Sequence, residues 1–319
     1  MKKYVNLFVF VFMVGTCFSQ GKAQTKSAVS YKNPVVDIAM PDPTVIKAAD
    51  GYFYVYATES TRNVPIMKSK DLVQWTYCNT AFTNKTRPRF EPKAGIWAPD
   101  INYINNKYVL YYAMSVWGGE QTCGIGVATA DSPQGPFTDH GKMFRSNEIG
   151  VQNSIDPSFL QYEGRNYLVW GSFRGIYVIE LTEDGLSLKP GAEKKRIAGT
   201  AFEAAYIHKH GDYYYMFASI GSCCRGVEST YKVVVGRSKK VWGPYKDKSG
   251  KPMLKNGYSL VIGANDYFVG NGHGSQMIRD DAASLVTGFY IMDFQDRLRK
   301  MDVFCYWTRL SGVKKGGLM

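Results

Sequence analysis

The chain has 319 residues, 45% hydrophobic, 14% aromatic and 21% charged, which excludes a disordered or fibrous protein and leaves ample material for a core. Its formal net charge is +12. No run of five basic residues and no nucleic-acid motif occurs, so the charge reads as solvated surface that suits an acidic polysaccharide or a membrane face, not nucleic acid. The 23 Tyr, 17 Phe and 6 Trp favour strands over helices, and they suit sugars, whose C–H faces pack on aromatic rings.

The first 24 residues read MKKYVNLFVFVFMVGTCFSQGKAQ. Lys2 and Lys3 form a basic start, and residues 4–16 an apolar stretch too short to span a bilayer. With small residues in GKA before Gln24, this is a secretory leader cut after Ala23, which implies a periplasmic or extracellular protein. Cys17 offers the alternative of lipid attachment, against which Thr16 is a poor preceding residue. Cleavage removes Lys2, Lys3 and Lys22 and lowers the net charge from +12 to +9. No later segment is apolar enough to cross a membrane. The mature chain, residues 24–319, then carries Cys78, Cys123, Cys223, Cys224 and Cys305, with no CxxC pair to suggest zinc. Adjacent Cys223 and Cys224 are either a vicinal disulfide or two thiols.

A pattern of acid, apolar strand, polar turn and aromatic strand then recurs. It begins at Asp42 in DPTVIKAADGYFYVYAT, at Asp100 in DINYINNKYVLYYAMS, at Asp156 in DPSFLQYEGRNYLVWGS and at Glu203 in EAAYIHKHGDYYYMFAS. A weaker copy begins near His273 in HGSQMIRDDAASLVTGFYIM. Further strand pairs follow the first, second and fourth copies, and GIYVIEL makes a shorter version after the third. Units of about four short strands with almost no helical periodicity predict an all-β, five-bladed β-propeller in a single domain, expected as a monomer. Strand starts near the axis would gather Asp42, Asp100, Asp156 and Glu203 at one cavity. Crowded carboxylates repel, and at a working site such crowding separates an acid from a base.

PDPTV, WAPD at Trp97 to Asp100, SIDPSF, FEAAY and GHGS resemble, in this order, the motifs of glycoside hydrolase family 43. ASIGSCCRGVESTYKVVVGRS resembles its arabinan endo-1,5-α-L-arabinosidase group. The resemblance covers about residues 33 to 280. It implies a five-bladed propeller that hydrolyses glycosidic bonds with inversion, its acid and base roughly 6.5–9.5 Å apart. It implies Asp42 as general base, Glu203 as general acid and Asp156 as the residue that raises and orients the acid. It also implies that His273 lies beside a buried calcium or other ion held mostly by water, and that the partner is arabinan or a related plant polysaccharide. Trp97 reads as a stacking platform, Asp100 as a substrate-binding or loop-fixing residue, and Ser222 and Arg225 as rim residues. A β-xylosidase or an exo-acting arabinofuranosidase would share the three acids.

The tail departs from the family. After GHGS the resemblance implies a strand ending in Tyr-His-Gly and later Asp-Gly-Trp-Pro, where this chain has FYIMDF and TRLSG. Both can be encoded one frame away from the family's residues, so residues 289 to 312 read as frame-shifted. That reading implies a malformed last blade, and an inactive glycan-binding product as an alternative to an enzyme.

Overall fold

The computed structural model describes residues 34–36, 38–279, 285–293 and 304–309, and only the backbone from Arg279 onward. The leader, Cys17 and much of the atypical tail lie outside the described residues. A first antiparallel sheet holds β1 (Thr44–Lys47), β2 (Phe53–Tyr56), β3 (Pro65–Ser69) and β4 (Thr76–Thr80) in chain order. A second holds β5 (Gly95–Ile104), β6 (Lys107–Ser115), β7 (Gly124–Ala130) and β8 (Thr138–Arg145). The third holds β9 (Ser158–Tyr162), β10 (Arg165–Trp170), β11 (Ile176–Glu180) and β12 (Lys195–Ala198). It is therefore a full four-stranded unit. The shorter version expected from GIYVIEL is corrected, because β12 is recruited from beyond a long connection.

The last sheet begins with β13 (Glu203–His210), β14 (Tyr213–Ile220), β15 (Lys232–Ser238) and β16 (Ser259–Ile262). It continues through β17 (Phe268–Gly272), β18 (Ile278–Arg279), β19 (Leu285–Asp293) and β20 (Phe304–Arg309). A parallel pairing of Lys232 with Asn271 joins β17 to β15 and fuses these eight strands. Five separate sheets were expected, and the described residues form four. Both β19 and β20 pair in regular antiparallel register despite the atypical sequence. Among the described residues, helix is confined to one turn, α1 (Ser146–Ile149), and two 3-10 turns.

Local chemistry accounts for the hairpins. Asn105 and Asn106 (φ 47° and 63°) join β5 to β6, and Glu163 and Gly164 (φ 49° and 72°) join β9 to β10. Two consecutive residues at positive φ make the two-residue turn whose twist matches the strands. Middle strands such as β6 are buried on both faces, whereas β8 alternates exposed and covered positions as an outermost strand does.

The first strands abut in succession, β1 on β5, β5 on β9 and β9 on β13, and β18 returns to β1. Apolar clusters fill the gaps between neighbours. Tyr54, Tyr56 and Ile66 pack with Leu110 and Tyr112, Val127 and Phe144 with Leu168 and Trp170, and Val169 and Val178 with Met216 and Ala218. Tyr206 and Phe217 meet Phe268, and Ile278 packs on the cluster of Val45, Phe53 and Val55, closing the ring. This is an all-β propeller. Burying a ring such as the fully covered Trp170 contributes about 3 kcal/mol, so each gap is a substantial contact.

Candidate active site

A left-handed residue lies before or within the opening residues of each first strand. Asp42, Ala98, Asp156, Ala204 and His273 have φ of 50°, 42°, 58°, 49° and 43°, each one residue before Pro43, Pro99, Pro157, Ala205 and Gly274. A non-glycine residue costs roughly 1–3 kcal/mol in this region and persists only where the surroundings fix it. The shared conformation sets the register of the repeat. Asp42 and Asp156 are equivalent, but Asp100 lies two residues after its marker and Glu203 one residue before. The expected row of four equivalent acids is corrected accordingly, since a one-residue slip at a strand sends a side chain elsewhere.

Small hydroxyls at the ends of second strands latch these entries. Thr58 Oγ1 donates to Asp42 Oδ2 (2.6 Å) and accepts from the Ala98 N–H (2.7 Å) of the next sheet. Ser172 Oγ donates to Glu203 Oε2 (2.7 Å). Ser219 Oγ accepts from the His273 N–H (2.8 Å). YAT, WGS and FAS carry these hydroxyls at matching places, a signal that sequence reasoning passed over.

A cleft of about 460 Å³ opens beside the entries. Asp42, Asp156, Glu203, Trp97 and His273 all line it, so the structure brings these five expected residues together. Trp117 also lines it, 78% exposed and tilted against Trp97 with ring centres 5.4 Å apart. Cys223 and Cys224 line it too, joined in a disulfide, which decides between the two states that the sequence left open. Ser222 and Arg225, expected at the rim, flank that disulfide, Ser222 half-buried and Arg225 exposed. Glu120 at the rim is clamped by a two-pronged contact from Arg174 (2.7 and 3.0 Å), tying the second sheet's loop to the third's.

The carboxyls occupy different environments. Glu203 is buried, and burial first, then the charge of Asp42, pushes it up to about 7, against donors from Ser172 and Tyr231 that pull it down. Desolvation leads this push, and the charge of Asp42 adds to it. Asp156 is itself driven well above the carboxylate range by burial, then by Glu203 and Asp42. Its Oδ2 accepts from the Ala204 N–H (3.0 Å), so it grips the backbone next to Glu203. Asp42 is partly exposed, with Oδ1 3.1 Å from His273 Nδ1.

Tyr231 was also missed by sequence reasoning. It is buried at the start of β15, and its hydroxyl donates to Glu203. Its ring lies so close to Gly272 that a Cβ there would stand 2.0 Å from a ring carbon. Glycine is required at that approach.

Asp100 sits elsewhere. It lines a small cavity of about 30 Å³ adjoining the cleft, together with Thr44, Ser158 and Gln276. Its Oδ1 accepts from Thr44 (3.4 Å) and Gln276 (3.2 Å), and its Oδ2 from the Phe159 N–H and Asn102 (both 2.7 Å). These bonds reach into the first, third and last strand groups. Asp100 is thus a hub, and the substrate-binding expectation is corrected because it is 4% exposed and its oxygens are spent internally.

His273 and Asp156 line both cavities. Calcium asks for six to eight oxygens. With Asp100 committed, and with no group of three His, Cys, Asp or Glu placed for a metal among the described residues, the lining does not fit a calcium ligated by protein groups.

A family model for glycosyl hydrolases family 43 matches residues 31–296. The chain belongs to family 43. The family 43 match ends within the atypical tail. The enzyme is 38% identical over 245 residues to an extracellular endo-α-(1→5)-L-arabinanase of Bacillus subtilis, covering 72% of this chain and 75% of the relative. It is 35% identical to an extracellular exo-α-(1→5)-L-arabinofuranosidase of Cellvibrio japonicus, covering 78% of each. The α-L-arabinanase of Cellvibrio cellulosa, solved with arabinohexaose, superposes with a TM-score of 0.76 at 31% identity, covering 85% of this chain and 92% of that one. As a family 43 member with arabinanase relatives, the chain is a glycosidase that hydrolyses O-glycosyl bonds. No helix among the described residues is long and apolar enough to cross a membrane.

Proposed function

We propose that this enzyme is an exported, inverting hydrolase of α-1,5-linked L-arabinan in plant cell walls, acting in the endo mode. The observation that carries it is one cleft holding two carboxyls in unlike settings. Glu203 keeps its proton to about pH 7 and protonates the leaving oxygen. Asp42, partly exposed and oriented by Thr58 and His273, accepts a proton from the attacking water. Asp156 holds Glu203 in place through Ala204. Trp97 and Trp117 offer faces for arabinose rings. Relatives named extracellular support export after removal of residues 1–23 and a periplasmic or extracellular location. The eight-stranded sheet is two blades joined at Lys232 and Asn271, because the left-handed marker recurs five times and the last recurrence is His273.

The test is incubation of the full chain with debranched arabinan and with xylan, followed by product analysis. A ladder of arabino-oligosaccharides supports the endo reading, and a single short product from the outset replaces it with an exo reading. Xylose alone supports a xylosidase. No new reducing ends from either polymer overturns the proposal, once a companion chain with residues 289–312 in the alternative frame behaves the same.

A further inference from the structure

The Cys223–Cys224 disulfide has no evident stabilising purpose. A disulfide stabilises a fold mainly by closing a chain loop, more so for longer loops, and one between neighbours closes almost none. Its position is distinctive. It stands on the cleft wall at the start of the β14–β15 connection, with Cys223 half-buried and Cys224 exposed. The loop is pinched shut behind it: the Ser222 N–H donates to Thr230 Oγ1 (3.0 Å), and Ser229 Oγ donates to the Ser222 carbonyl (2.8 Å). The sulfurs are therefore presented to the cleft on a fixed neck. A disulfide lacks hydrogen-bond donors and is polarisable, so it suits the C–H face of a sugar ring and not its hydroxyls. Trp97, Trp117 and Phe173 line the cleft from the second and third sheets, and on the fourth sheet's side the disulfide stands together with Tyr231.

We propose that the vicinal disulfide is a substrate-contacting platform on which a furanose ring of the bound arabinan lies, and that reduction removes it reversibly. The proposal rests on the arabinan reading above. Reduction by a water-soluble phosphine is balanced as follows. Phosphorus attacks one sulfur and the S–S bond breaks. Water then delivers oxygen to phosphorus, giving the phosphine oxide, and its two protons go to the two thiolates.

The experiment titrates an α-1,5-arabino-oligosaccharide into the full-length Glu203→Gln chain by calorimetry, before and after phosphine treatment. Mass spectrometry follows the gain of two hydrogens. Loss of about 50 Å² of apolar contact predicts a roughly fivefold to tenfold weaker Kd, recovered on reoxidation. The Cys223→Ala/Cys224→Ala chain should show the weaker Kd without phosphine and no further response to it. Saturating oligosaccharide should also slow the reduction itself, because a ring lying on the sulfurs blocks attack. An unchanged Kd after complete reduction overturns the platform, as does reduction at the same rate with and without sugar. A wild-type chain that binds the oligosaccharide but does not cleave it refutes the hydrolase reading, while the Kd ratio still decides the platform. A chain that binds none refutes both.

Discussion

Replacing Glu203 by Gln should lower activity on arabinan by roughly 10²–10⁴-fold and should stabilise the fold at the higher pH only. The Glu203 carboxyl is buried and pushed from 4.5 to about 7, chiefly by desolvation. A raised folded value means that the folded state holds the proton more tightly than the unfolded chain. The associated stability is complete below about pH 4.5 and is lost as pH rises to about 7. At about 1.4 kcal/mol per pH unit, the loss amounts to about 3 kcal/mol. Gln cannot titrate, and its amide oxygen can still accept from Ser172 and Tyr231. Denaturant unfolding of wild type and Glu203→Gln at pH 4 and pH 8 reads the difference. The variant should match wild type at pH 4 and exceed it by about 3 kcal/mol at pH 8, or roughly 6 °C in Tm. An equal difference at both pH values, or a larger gain at pH 4, would refute the claim that Glu203 carries a buried proton in the folded enzyme.

Ser172→Ala should move the alkaline limb of the kcat/KM profile upward by up to about one pH unit while lowering kcat, because the lost donor stabilises the charged carboxylate; an unmoved limb would separate Ser172 from the acid. Gly272→Ala should cost roughly 1–3 kcal/mol in denaturant unfolding and reduce kcat, since its Cβ would displace the Tyr231 ring that braces Glu203. Trp117→Ala should leave stability within about 0.5 kcal/mol, given its exposure, yet raise KM on arabinan roughly tenfold. Wild-type KM in that variant would remove Trp117 from the binding surface.

The repeat was legible because strands alternate and turns need Asn or Gly, and the family motifs picked out Asp42, Asp156, Glu203, Trp97 and His273. Register was not legible. A left-handed residue before a proline leaves no mark on composition, so Asp100 passed for an equivalent of Asp42 when it is a buried hub two residues onward. Thr58, Ser172 and Ser219 are common strand-end residues, and only the neighbouring sheet reveals that they latch it. Tyr231 reaches Glu203 through the third dimension alone. The push on Glu203 was assigned to a neighbouring charge because charges are visible in a sequence and desolvation is not. The fusion of the last strands to β15 rests on one parallel pairing that no local pattern announces.

The central claim, that Glu203 gives the proton and Asp42 activates the water, is tested most directly by leaving-group dependence. The kcat/KM of wild type, Glu203→Gln and Asp42→Asn is measured on debranched arabinan and on an aryl arabino-oligoside whose phenolate departs without protonation. General acid catalysis contributes roughly 10²–10⁴-fold, so Glu203→Gln should lose that factor on arabinan and recover most of it on the aryl substrate. Asp42→Asn should be equally damaged on both, because water must be activated whatever leaves. The same loss on both substrates for Glu203→Gln, or rescue of Asp42→Asn by the aryl substrate, would contradict the assignment.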